Sequence, residues 1–348
     1  MNIAFTYNVK KNTPSTDLKK QVDLEFDLPS VINSIAKSLE ELGHNVIKVE
    51  ADENAFEKLK KIRNKVDMVF NIAEGKWGEA RETQIPIICE ILKIPYTHSG
   101  PTTHTISLDK SFTNLILRGA DGINVPESHV VKERGWVLPK RLKFPLIVKP
   151  NNEGSSKGVL DANVVNNEKD LRKRVEIISE NYKKEVLVEE YIDGREFTVA
   201  VLGNGEDVRV LPIIEQKFDF LPAGMNKIAS FELKWIYEDA LKDLTKAYDC
   251  PAKLTPKQKK LIEDTTRQVF EILDVKDCAR LDYRMNKDGK LYFIEINTLP
   301  GINPSLDGIS YFPLAARTAG MTYTEMIGKI LSLACARYGL NPGRGGGN

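Results

Sequence analysis

The sequence predicts an α/β fold, a parallel N-terminal α/β domain followed by two α+β blocks. Three observations predict it. Strand-like and helix-like periods alternate through the first hundred residues. A strand ending in Lys149 runs into a glycine-rich loop and then a helix. Residues 278–297 read as two strands joined by a tight turn. Strand–helix–strand alternation requires a parallel sheet with right-handed crossovers.

In chain order, residues 2–7 form an apolar strand and residues 30–42 carry helical apolar spacing. Gly43 follows as a helix stop, and residues 45–50 are a second strand. Residues 67–73 are a buried strand, 82–92 a helix and 95–97 a short strand. The second block opens near Gly100-Pro101, with a helix at 108–117 that carries Asp109 and Lys110, and a strand at 144–150. The Gly-Ser-Ser-Lys-Gly stretch at 154–158 is a glycine-rich hairpin whose free N–H groups, hydroxyls and lysine suit phosphate, although it lacks the Walker spacing. A helix at 168–181 and a strand at 185–191 close the block. The third block has strands at 197–203 and 208–214, a long irregular stretch to Pro256 suited to a lid, a helix to Leu273, the hairpin, and a last helix at 324–338. The expected domains are 1–100, 101–188 and 189–340, with 341–348 a disordered tail.

The hairpin carries the chemistry. Its turn is Asn-Lys-Asp-Gly at 286–289, and Asp-Gly between apolar runs is a strong hairpin signal. Period-two alternation puts Arg280, Asp282 and Arg284 on one face of the first strand and Glu295 and Asn297 on one face of the second. Two carboxylates and an amide oxygen make a hard-oxygen site, which suits Mg²⁺ completed by phosphate oxygens. A buried Glu295 costs free energy unless it is paired or metal-bound.

At 348 residues the chain suggests two or three domains, and 41% hydrophobic with 28% charged residues is an ordinary globular composition. Basic residues exceed acidic by one, which excludes a global field for nucleic acid or anionic membrane. No apolar run has the length of a membrane span, so a cytoplasmic protein is expected. Cys89, Cys250, Cys278 and Cys335, and His44, His98, His104 and His129, are scattered, which argues against zinc or a histidine metal site.

These segments in this order resemble the ATP-grasp superfamily, and within it the D-alanine–D-alanine ligases, from about residue 65 to 335. The motifs are Ile-Pro-Tyr-Thr at 94–97, Leu-Asp-Lys at 108–110, Ile-Val-Lys-Pro at 147–150, Glu-Gly-Ser-Ser at 153–156, Val-Glu-Glu at 188–190, Asp-Gly-Arg-Glu-Phe-Thr-Val at 193–199, Ala-Arg-Leu-Asp at 279–282 and Glu-Ile-Asn-Thr-Leu-Pro-Gly at 295–301. The resemblance implies an ATP-grasp fold clamping ATP between two subdomains. It implies an ATP-dependent carboxylate–amine ligase working through an acyl phosphate, with two Mg²⁺ (or Mn²⁺), amino-acid substrates and a homodimer. Lys110 and Lys149 would hold phosphates under the loop of Glu153, Gly154, Ser155 and Ser156. Glu189, with the backbone of Glu190 and Ile192, would read adenine, and Glu196 the ribose. Asp282, Glu295 and Asn297 would bind metal, and Lys234 would reach the γ-phosphate. Arg280 and the Gly301 N–H would stabilise the oxyanion, with Ser155 also in the catalytic set. Ser305 would grip the second substrate's carboxylate.

The resemblance weakens where the first substrate is held. The family's Glu-x-Glu-Val-Ser-like turn is replaced by residues 23–30, with Glu25 or Asp27 as the amine grip. Its His-Gly-x-x-Gly-Glu-Asp-Gly motif becomes Glu-Gly-Lys-Trp-Gly-Glu-Ala-Arg at 74–81. Glu74 and Arg81 invert the local charge pattern. The expectation is a donor other than plain D-alanine, with Glu74 holding an amine and Arg81 an extra acidic group. A different carboxylate donor, or phosphoryl transfer alone, are the alternative activities.

Overall fold

The computed structural model describes residues 1–21, 23–133 and 135–342. The expected tail at 341–348 therefore lies mostly outside the described residues.

The chain starts with β1 (Asn2–Tyr7), α1 (Pro29–Glu41), β2 (Asn45–Glu50), α2 (Ala55–Ile62) and β3 (Met68–Asn71). The three strands pair in parallel in the order β2-β1-β3. Pro29 stands at the first helical position of α1, where its missing N–H is no loss, and Gly43 beyond the last turn takes φ +84°. Helix α2 was not expected. It is short and lysine-rich, and it buries only Ala55 and Leu59. A 3₁₀ turn, Arg81–Thr83, leads into α3 (Gln84–Leu92), and Tyr96 adds a single parallel bridge to Val69.

The helix expected at 108–117 is two: α4 (Pro101–Leu108) and α5 (Lys110–Arg118). Asp109 between them is extended, and its carboxylate accepts the Phe112 N–H at 2.9 Å, an N-cap that a periodicity reading passes over. The middle sheet contains β4 (Ser128–Val131), β5 (Leu146–Pro150) and β6 (Val164–Val165). Helix α6 (Glu168–Tyr182) and β7 (Val186–Glu190) complete it, in the antiparallel order β4-β7-β5-β6. Leu171, Val175 and Ile178 of α6 cover it.

The third sheet is built from β8 (Gly194–Leu202), β9 (Arg209–Val210), β10 (Ile214–Gln216) and β11 (Tyr248–Asp249). After α7 (Pro256–Ile272) come β12 (Cys278–Asn286) and β13 (Leu291–Asn297). The order is β11-β10-β8-β12-β13, with β9 on β8. The single strand expected at 208–214 is split because Pro212 has no N–H to give a ladder. Helix α7, capped by Thr255 and Gln258, buries Ile262, Val269 and Phe270 against the hairpin.

Helices α8 (Tyr311–Thr318), which was not expected, and α9 (Tyr323–Arg337) return to the start of the chain. Phe312, Met326, Ile330 and Cys335 share one core with Ile3, Phe5, Ile35, Leu39 and Phe70. The N-terminal sheet is thus closed by the last helix.

Candidate active site

The β12–β13 register sets Arg280 opposite Asn297 and Asp282 opposite Glu295, with an irregularity directly after Asp282. Such a bulge re-aims the side chains beside it. The Asp282 carboxylate accepts from Thr198 Oγ1 at 2.8 Å and from Arg280 Nη2 at 3.0 Å, and Asn297 Nδ2 lies 3.5 Å away. Glu295 Oε2 is 3.6 Å from Lys110 Nζ, and its other oxygen is 3.9 Å from Arg280. Burial alone would raise the Glu295 pKa, but Lys110, Lys149, Arg280 and Lys234 outweigh it and hold the carboxyl down to about 2. The hairpin face expected from alternation is present, and four cations surround it.

A cleft between the middle and third sheets is lined by Arg280, Asp282, Arg284 and Glu295 and by the expected nucleotide residues except Gly154 and Ser155, which with Asn297 line an adjoining cavity. Lys149 Nζ is 2.5 Å from Glu189 Oε2, and Asn114 Nδ2 donates to Glu189 Oε1 at 2.8 Å. Both Glu189 oxygens therefore have protein partners. Glu190 gives its own N–H to the Glu127 carbonyl at 2.8 Å, and Ile192 lines the cleft with Ile147 and Ile294. Glu196 is pushed up to about 7 by burial, against the pull of Arg284, whose Nη1 donates to it at 2.9 Å. Arg284 also donates to the carbonyls of Lys227 and Gly194.

The loop at 151–158 turns through left-handed conformations at Ser155 and Ser156, φ 51° and 58°. Glu153 is engaged within the protein. Its carboxylate meets Lys184 at 2.7 Å, Lys157 at 2.8 Å and Arg81 at 3.5 Å, while its carbonyl accepts from Lys110 Nζ. It anchors the loop, as a carboxylate repelled by phosphate must. Ser156 Oγ donates to the Ala229 carbonyl at 2.6 Å, Phe231 N to the Val159 carbonyl at 2.7 Å, and Trp235 Nε1 to the Ser155 carbonyl at 3.4 Å. The irregular stretch and the glycine loop are thus latched together over the cleft. Lys234 stands on a π-helical turn, Leu233–Tyr237, and lines the cleft. Burial and Arg280 lower its pKa.

A second cavity joins the first through Lys110, Glu153, Arg280 and Glu295, which line both. Its wall also holds Glu25, Glu74, Glu82, Ser107 and Gly301. Arg81 is absent from this wall, which corrects the expectation that it receives an acidic group of the substrate. Its Nη2 donates to both Glu25 oxygens at 2.8 Å and its Nη1 to the Asn152 carbonyl at 2.9 Å. A guanidinium buried behind a carboxylate is a brace. Glu25 also accepts the Gly154 N–H at 2.7 Å, so closely that a Cβ at Gly154 would lie 2.5 Å from its Oε1. Asp27, the other candidate amine grip, lies in a neighbouring cavity, and burial lifts it to about 7.

Ser305 is also corrected. It sits in a turn, accepting the Asp307 N–H at 3.1 Å, and lines neither cavity. Ser310, at the start of α8, lies at the mouth with Lys234, Arg280 and Gly301, and its Oγ donates to the Gly301 carbonyl at 3.1 Å. Sequence reasoning also missed Glu82, Ser107, Asn114 and Tyr311, and it placed Trp235 only in a segment suited to a lid. Only Tyr311 had a readable signal, an aromatic beginning a helix just after the Gly301 turn. The others reach the site from helix faces or a lid.

The description "D-ala D-ala ligase C-terminus" belongs to the family model that matches residues 117–332. The D-alanine–D-alanine ligase of Aquifex aeolicus is 33% identical over 300 residues, covering 86% of this chain and 92% of that one. The chain belongs to the D-alanine–D-alanine ligase family. An uncharacterized protein of Sinorhizobium fredii, y4sG, is 33% identical over 314 residues, 88% of each chain. The D-alanine–D-alanine ligase of Bacillus anthracis, solved complexed with ATP, superposes with TM-score 0.72 at 23% identity over 97% of this chain and 98% of that one. That likeness is one of fold, ATP-grasp. No helix among the described residues is long and apolar enough to cross a membrane.

Proposed function

We propose that this ligase joins the carboxylate of one amino acid to the amine of another at the expense of ATP, through an acyl phosphate. The observation that carries the reading is the shared wall. Lys110, Arg280 and Glu295 line both cavities, so a carboxylate seated in the acidic one meets the end of a triphosphate seated in the other. A carboxylate oxygen attacks the γ-phosphorus and the bond to the ADP oxygen breaks. The amine then attacks the acyl carbon, the carbon–oxygen bond to phosphate breaks, and the amine's proton is lost. Both steps gather negative charge, which Lys110, Lys149, Lys234 and Arg280 are placed to offset. The Gly301 N–H completes an oxyanion site with Arg280.

Asp282, Glu295 and Asn297 fit Mg²⁺ as two carboxylates and one amide oxygen. Among the described residues no group of three His, Cys, Asp or Glu does so, and phosphate oxygens would supply the remaining ligands. Bound there, two Mg²⁺ (or Mn²⁺) would neutralise phosphate charge. Glu196 would accept ribose hydroxyls, and Glu190 and Ile192 would border the base. The closed latch of Ser155, Ser156 and Trp235 keeps water from the acyl phosphate. Ser310 replaces Ser305 as the hydroxyl nearest the acceptor. A cytoplasmic homodimer completes the reading, and light scattering on the purified protein checks the dimer.

Phosphate release from ATP, measured with D-alanine alone and then with amino acids singly and in pairs, tests the function, with mass analysis of products. Release that needs both carboxylate and amine, with a condensed product, is expected. Release with a carboxylate alone, yielding a stable phosphorylated product, would make the enzyme a phosphoryl transferase instead.

A further inference from the structure

The acidic cavity is charged in a way that an alanine donor does not explain. Glu25 is neutralised within the protein by Arg81 and the Gly154 N–H. Glu153 is likewise matched by Lys157, Lys184 and Arg81. Two other carboxylates of this cavity have no direct ion pair with an arginine or lysine among the described residues, and Arg81 attracts both only at longer range. Glu74 makes no side-chain hydrogen bond or short ion pair with the described residues, and burial together with Glu82 and Glu25 raises its pKa well above the carboxylate range. Glu82 has His104 Nδ1 at 3.8 Å, and that nitrogen already lies 2.7 Å from Thr298 Oγ1.

An independent observation points to a ligand. The Ser107 hydroxyl is 5% exposed, lines this cavity and has no hydrogen-bond partner. A buried hydroxyl is rarely left unpaired without a reason, and an ammonium N–H is a donor it can accept. Arg280 and Gly301, the groups proposed to receive the reacting carboxylate, line the same cavity. A molecule that carries both a carboxylate and positive charge matches this lining.

We propose that Glu74, Glu82 and the Ser107 hydroxyl recognise a second ammonium group on the carboxylate donor, so that the donor is a diamino acid. This rests on the ligase reading and specifies its substrate class. One α-ammonium cannot match two carboxylates, whereas a diamino acid brings a cation for each. Carboxylates around the distal amine also keep it protonated, so it carries no lone pair to attack the acyl phosphate.

The test measures binding of 2,3-diaminopropionate, 2,4-diaminobutyrate and alanine, in both hands, to the full chain with Mg²⁺ and a non-hydrolysable ATP analogue. Product formation with ATP and a panel of amines follows. A diamino acid should bind at least about tenfold tighter than alanine, a difference of about 1.4 kcal/mol. In Glu74→Gln and in Glu82→Gln the ratio of diamino acid to alanine affinity should collapse toward one. Because both ligands are measured on the same variant, partial misfolding cancels. Alanine binding as tightly as every diamino acid, or a ratio unchanged in both variants, overturns the proposal even if peptide bonds form. Tight diamino acid binding that depends on Glu74, without any condensed product, would instead overturn the ligase reading and leave the pocket assigned.

Discussion

Buried charge is the main theme at the level of single residues. Arg81 and Glu25 are each about 95% buried, 4% and 5% exposed, and bonded through two N–H···O contacts. Removing one partner of such a pair leaves an uncompensated buried charge. Arg81→Ala should therefore lower stability by about 3–5 kcal/mol in urea titrations, and Arg81→Lys should recover only part because it lacks the second nitrogen that donates to the Asn152 carbonyl. Glu153 gives a pH signature. Burial raises its pKa, but Arg81, Lys157 and Lys184 prevail and bring it from 4.5 to about 2. A depressed carboxyl pKa stabilises the fold above the unfolded value and loses that contribution as pH falls through the folded one. Glu153→Gln should thus be less stable than the natural chain at pH 7, by up to about 3 kcal/mol. That gap should hold down to about pH 4.5 and narrow below it, as equilibrium unfolding across pH would read. A gap that widened in acid would show the ion cluster to be unimportant.

At the level of elements, the site depends on contact between two segments that have little regular structure. The glycine loop and the stretch around Ala229 to Trp235 meet through three hydrogen bonds, and Lys10 sits 4.6 Å over the Trp235 ring. Local regions held by few contacts open at low free-energy cost, which is what a lid requires. Trp235→Ala should admit water, so that more phosphate is released per amide bond formed. The ratio of the two products under saturating substrates measures this, and an unchanged ratio would remove Trp235 from the latch. Little of this contact was legible beforehand. An irregular stretch of that length signals a lid, but nothing in its composition says which loop it will touch, because the bonds use backbone carbonyls. The hairpin is the opposite case. Its period-two faces and Asp-Gly turn depend on local geometry alone, and the observed pairing of Asp282 with Glu295 follows from them.

For the molecule as a whole, the last helix locks the first domain in place. Asp277, fully buried, accepts from the His98 N–H at 2.8 Å, Asn204 Nδ2 at 2.9 Å and Arg337 Nη2 at 2.8 Å. Arg337 lies in α9, His98 follows the N-terminal unit and Asn204 follows β8, so one carboxylate ties three parts of the chain. Asp277→Asn should keep the shape but lose the charge, and Asp277→Ala should destabilise by about 3 kcal/mol or more, since Arg337 would lose its partner. Thermal unfolding compares them. Asp277 does not line the nucleotide cleft, so the KM for ATP should change little in whatever fraction folds.

The sequence by itself determined what depends on short range. It specified the strands with alternating faces on Cys278–Asn286 and Leu291–Asn297, and the glycine loop after Lys149, on which the proposed metal and phosphate residues stand. Each follows from backbone period, turn chemistry or a contiguous motif. Only the tertiary structure decided which charges line the acidic cavity. Arg81 and Glu74 are seven positions apart and equally plausible as ligands in one dimension, yet Arg81 is bound behind the wall to Glu25 and Glu74 is in front of it. The reason is that Glu25 belongs to the loop before α1, and its distance from Arg81 is set by how the N-terminal sheet packs against the glycine loop. A buried guanidinium goes where two carboxylates converge, and that convergence is a property of the fold.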